Sequence, residues 1–137
     1  MMDIVKSKAG FRVLRESVGL TQSALARMVG VNGQTVKYWE NPGKPQYKPN
    51  ERAWDLVVRF LRQQAYTVKY FMENLDDLHS EGEPVLFKYY RSQADYDRLV
   101  GDGQFFGVAN AVTRAYVQAL LSAGIGVEVC FAGGDTL

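Results

Sequence analysis

A chain of 137 residues, 47% hydrophobic and with a formal net charge of +1, has the size of one domain or of a small domain with an extension, and its apolar content argues for a packed core and against disorder. It contains no uninterrupted apolar run of the roughly 18 residues that suggest a membrane span, no cationic-then-apolar signal pattern at its start, and a single cysteine, Cys130, with no internal disulfide partner, so a reducing, cytoplasmic setting away from the membrane is the expectation. The near-neutral total hides a split, eleven Lys/Arg against five Asp/Glu up to Ala65 and five against ten from Tyr66 onward, or +6 and −5, which suits the first part to a polyanion and the second part not at all.

In chain order, Lys8 to Val18 is predicted as a helix from the spacing of Phe11, Leu14 and Val18, with Gly19 as its stop. Thr21 is an N-cap for a helix from Gln22 to about Met28, Gly30 suits a sharp turn, and Asn32 caps a third helix ending near Glu40. Asn41-Pro42-Gly43-Lys44-Pro45 is a cluster of breakers. A longer helix starts at Pro49-Asn50-Glu51 with the stripe Trp54, Val57, Val58 and Leu61, and is expected to continue through Tyr70 towards His79, since no Gly or Pro interrupts it until Gly82. Gly82-Glu83-Pro84 marks a boundary. Beyond it come a strand at Val85 to Tyr90, a short helix capped by Ser92 and running to Val100, an apolar helix from Val108 to Ala123, and a second strand at Val127 to Phe131. Gly133-Gly134-Asp135 is expected to be a loose tail.

Two short helices joined at a Gly, with Leu25, Ala26, Val31 and Val36 apolar where the pair must pack, form either an αα-hairpin or a helix-turn-helix. The residues Gly19-Leu20-Thr21-Gln22, Leu25-Ala26, Gly30-Val31, Thr35-Val36 and Trp39-Glu40, with Pro42 shortly after, resemble the Cro/C1-type (XRE-like) helix-turn-helix family over roughly residues 8 to 62. That resemblance implies a DNA-binding domain in which Trp39 belongs to the core and Glu40 ties down the following loop. The third helix is left with Asn32, Gly33, Gln34, Lys37 and Tyr38 as candidate base contacts. An α-helix fits the DNA major groove and its N-terminal residues reach base edges; the Gln34 amide suits adenine N6 and N7, Lys37 suits guanine or a phosphate, and Tyr38 suits a thymine methyl or a phosphate. Gly33 departs from the family pattern, which commonly has a polar side chain there, and leaves the base preference open. Candidate phosphate contacts are Gln22, which the resemblance assigns to clamping, with Thr21, Arg27, Lys44, Tyr47 and Lys48.

One such motif reads only a few base pairs, so a two-fold dimer on palindromic double-stranded DNA is expected. The acidic second part carries apolar side chains fit for a homodimer, of which Phe87, Tyr89, Phe105, Phe106, Tyr116 and Leu120 are the candidate dimerisation residues. Its order of strand, short helix with Tyr96, Phe105-Phe106 and the helix Ala109 to Leu121 is similar to the tail of anti-CRISPR-associated (Aca) repressors and YdiL-like proteins. That resemblance implies a phage or mobile-element repressor of its own operon. The fold class expected is mainly α with a small α+β C-terminal part: a helix-turn-helix domain over 1–65 and a β-α-α-β dimerisation domain over 66–137. An antitoxin with autoregulatory DNA binding, or a regulator that also grips structured RNA, are the alternatives. No catalytic residue, metal site or cofactor is expected: His79 stands alone in a polar stretch, Cys130 and His79 lack companions at ligand spacing, and Gly101, Gly103 and Gly107 do not form a phosphate loop between a strand and a helix. Cys130, within a strand pattern, is expected in the core.

Overall fold

The computed structural model describes residues 4–134; it is mainly helical, with a small two-stranded parallel sheet towards the C-terminal end. Asp135 of the expected loose tail lies outside the described residues. The chain separates into two compact units, Met1–Gln63 and Gln64–Leu137. The division falls inside a long helix and not at Gly82-Glu83-Pro84. No helix among the described residues is long and apolar enough to cross a membrane.

The first unit is built from α1 (Lys8–Ser17), α2 (Gln22–Val29), α3 (Gly33–Glu40) and the first part of α4 (Glu51–Glu73). Each start is capped by a side-chain oxygen that accepts an otherwise orphaned backbone N–H: Ser7 from Gly10 (2.9 Å), Thr21 from Ala24 (3.0 Å), Asn32 from Thr35 (3.0 Å) and Asn50 from Ala53 (2.9 Å). Gly30 closes α2 in the left-handed conformation (φ 74°), which a side chain would strain. Phe11 is fully buried, with Trp39 and Trp54 both edge-on to it at 6.1 and 5.2 Å. Leu25, Val36 and Val57 are likewise buried. On α4 the buried set is Ala53, Trp54, Leu56 and Val57; Val58 and Leu61 of the expected stripe are only half-buried.

α4 stops at Glu73, short of His79, and a single turn, α5 (Leu75–Leu78), follows. The break is Asn74, whose side-chain amide donates to the Tyr70 carbonyl (2.8 Å); a short polar side chain competing for backbone partners favours leaving the helix. The second unit continues with β1 (Val85–Tyr89), α6 (Gln93–Leu99), α7 (Phe106–Ser122) and β2 (Val127–Phe131). β1 and β2 pair in parallel, Val85 opposite Val127 through to Tyr89 opposite Phe131. Phe87 stacks on Tyr116 of α7 (5.2 Å, 17°), and Phe71 lies against both rings. Asn110, buried on α7, receives the Tyr90 N–H (2.9 Å) and donates to the Tyr90 carbonyl (2.8 Å), standing in for a strand where β1 ends. The Gln93 side chain accepts the Phe106 N–H (2.9 Å) and so serves the start of α7, which has no cap of its own. Tyr96 is buried and donates to the Asp102 carboxylate (2.8 Å); burial, reinforced by that bond, pushes its phenol up to about 12. Cys130 is half-exposed, contrary to the core position expected, because β2 is an edge strand none of whose residues is buried.

Candidate nucleic-acid interface

The buried positions of α3 are Val36 and Trp39. At 3.6 residues per turn this directs Gln34, Lys37 and Tyr38 to the opposite side. Gln34 and Lys37 are exposed and Tyr38 is half-buried. Asn32 is exposed, and its side-chain oxygen is engaged within the protein, accepting from both the N–H and the hydroxyl of Thr35 (3.0 and 3.1 Å). A side chain at Gly33 would meet nothing within 4 Å, so no neighbour among the described residues requires a glycine there.

The loop after α3 folds back in two successive turns, with Lys44 N–H on the Asn41 carbonyl and Tyr47 N–H on the Lys44 carbonyl (both 3.0 Å). It carries Lys44 over the face of the Tyr38 ring (5.1 Å) and the Tyr47 ring to 5.0 Å from that of Tyr38. Tyr38, Lys44 and Tyr47 thus form one cluster at the end of α3, and the Tyr38 ring is held by that cluster. Lys48 is exposed next to it in sequence, and Arg27 is exposed on α2. Thr21 holds the start of α2 through its oxygen.

Two residues that sequence reasoning missed fix this arrangement. The Lys8 ammonium donates to the carbonyls of Tyr38 (2.9 Å), Trp39 (3.0 Å) and Tyr47. A cation at the carboxyl end of α3 also offsets the negative end of its dipole. Burial, and then the neighbouring Lys48, lower the Lys8 pKa. No local signal marks Lys8, since its partners lie 30 and more residues away. Arg15 is buried and grips Glu40 with two N–H groups (2.6 and 2.8 Å) while a third donates to the Leu20 carbonyl (2.8 Å). Its signal was present: four residues after Phe11, it falls on the apolar stripe of α1. Glu40 therefore holds α1 and the start of α2, where the Gln22 amide also donates to it (3.2 Å), so that its carboxylate ties helices together and not, as expected, the following loop. The Gln22 amide carries two N–H donors, of which the bond to Glu40 uses one.

In the second unit most candidate dimerisation residues are engaged within the unit itself. Phe87 and Tyr116 stack together, Phe105 and Phe106 lie 5.2 Å apart, and the Tyr89 hydroxyl accepts from Arg114 (2.7 Å). Leu120 is fully buried and has no surface to offer a second copy, which corrects its assignment. The large apolar side chains left exposed there include Leu86, Leu99, Val100, Leu121, Val129 and Phe131. Compared with known proteins, the chain matches no family model and no curated protein.

Proposed function

We propose that the chain is a sequence-specific DNA-binding transcriptional repressor of its own operon, in which α2 and α3 form a helix-turn-helix and a homodimer reads a palindromic operator. The observation that carries this reading is the outward face of α3. Gln34 and Lys37 are exposed on a short helix whose other side is anchored by Val36 and Trp39, in a segment with a formal charge of +6. An α-helix so displayed fits a major groove, where an amide and an ammonium distinguish base edges. The Tyr38–Lys44–Tyr47 cluster, with Lys48 and Arg27, supplies cations and hydroxyls for phosphates on either side, and these contacts position the helix without reading sequence. The acidic second half is repelled by the backbone and is left to join two copies.

The test is selection of duplexes from a random pool by the purified full chain. Recovery of an inverted repeat with half-site centres about 34 Å apart supports the proposal. A pool that gains no consensus, or one outcompeted by structured RNA at equal concentration, refutes it.

A further inference from the structure

Two strands alone make a marginal sheet. Here Val85, Phe87 and Tyr89 share one face with Val127, Val129 and Phe131, while Leu86 and Lys88 share the other with Glu128 and Cys130. The Val85 N–H donates to the Gly126 carbonyl and the Ala132 N–H to the Tyr89 carbonyl (3.0 and 2.9 Å). Alternate residues of a strand turn their backbone groups to the same neighbour. Glu128 and Cys130 therefore face β1, and the N–H and C=O of Val127 and Val129 point to the outer edge. No further strand joins the sheet among the described residues. Val129 is 42% exposed and Phe131 37%, and Tyr89, Val129, Cys130 and Phe131 line a groove of about 280 Å³. Val127–Phe131 contains neither proline nor lysine, the strongest guards of an edge, and its one charge is Glu128.

We infer that this edge is occupied by β2 of a second copy, antiparallel, with the two-fold axis beside Val129, giving a four-stranded sheet in the order β1-β2-β2-β1. The inference rests on the dimer in the proposed function and names its contact. What selects a second copy is self-complementarity. Under that axis Val129 faces Val129 of the second copy and Val127 faces its Phe131, so the apolar face runs unbroken from one Phe87 to the other. On the opposite face Cys130 comes opposite Glu128 of the second copy. Lys88 already leans over onto β2, where it donates to the sulfur of Cys130 opposite it (3.2 Å). At a strand spacing of about 4.8 Å, the glutamate of the second copy lies one strand further on, within the reach of the lysine. Two such charge pairs form per dimer, related by symmetry.

The full-length chain is tested by light scattering over a dilution series. Val129→Pro removes an N–H that points out of the sheet and leaves the β1 ladder intact, a position where an edge strand tolerates proline. It should weaken the dimer by about 10- to 100-fold. Glu128→Lys and Lys88→Glu should each weaken their homodimers by bringing like charges together. An equimolar mixture of the two should dimerise as well as wild type, because opposite charges then meet across the axis. A contact within one copy cannot be restored by mixing, so this outcome supports the inference even if proline disturbs folding. A wild-type dimer with no preference for the mixed pair overturns the edge contact and leaves the dimeric regulator standing. A wild-type chain that is monomeric overturns both.

Discussion

Gln34 and Gly33 sit side by side at the start of α3 and make opposite predictions. Gln34 is exposed on the side of α3 away from Val36 and Trp39, so Gln34→Ala should leave the fold unchanged. In the proposed DNA complex it should cost about 1–3 kcal/mol per half-site and relax the base preference at one position. Titration of the selected duplex against a scrambled one checks this, and an unchanged ratio of affinities removes Gln34 from base reading. Gly33 has open space around its Cβ position and no positive φ. Gly33→Ala should therefore stabilise the first unit by about 0.5–1 kcal/mol, because a helical alanine gives up less conformational freedom on folding than a glycine. Both tryptophans, Trp39 and Trp54, lie in the first unit, so their fluorescence in urea reports that change. If the same variant binds DNA more weakly, the missing side chain is what lets the helix approach the bases.

At the scale of elements, the first three helices are held by packing and by one charged pair. The Arg15 and Glu40 side chains are 9% and 3% exposed. Removing one partner leaves the other charge buried without its counterpart, so Glu40→Ala should destabilise the first unit by about 3–5 kcal/mol. The double variant with Arg15→Met should regain much of that loss, since an apolar side chain of similar length tolerates the same site; urea unfolding of both proteins decides it. These helices were legible in the sequence because each carries a capping residue, an apolar stripe and, at Gly30, a turn residue. The end of α4 was not, since the hydrogen bond from Asn74 to Tyr70 is a local choice with no signature in the apolar pattern. The strands were legible from their β-branched and aromatic residues, but their parallel sense was not, because register depends on partners distant in sequence. In the candidate site, the outward set Gln34 and Lys37 followed from helical spacing. The engagement of Tyr38 by Lys44 and Tyr47 did not, because it depends on how the loop folds back.

For the molecule as a whole, the division of charge decides how the proposed interface behaves in solution. Lys44 sits over Tyr38 in the loop after α3, and Lys44→Ala should weaken binding to specific and non-specific duplexes alike. It should also flatten the slope of log affinity against log salt by about one. Titrations at several salt concentrations measure both effects, and an unchanged slope removes Lys44 from the phosphate contacts. The elements differ as well in how far apart in sequence their partners lie. α2 and α3 follow one another directly, whereas Lys88 and Cys130, opposite one another in the ladder of the second unit, are 42 residues apart. Closing so long a loop before any pairing energy is gained slows assembly. On a translating ribosome, α1 to α3 can close while β1 still waits for β2 to be made. Pulsed deuterium labelling during refolding should find the amides of α2 and α3 protected before those of Val85 to Tyr89. If the chain is the repressor proposed above, its reading head would then form ahead of the strand assigned to joining it with a twin.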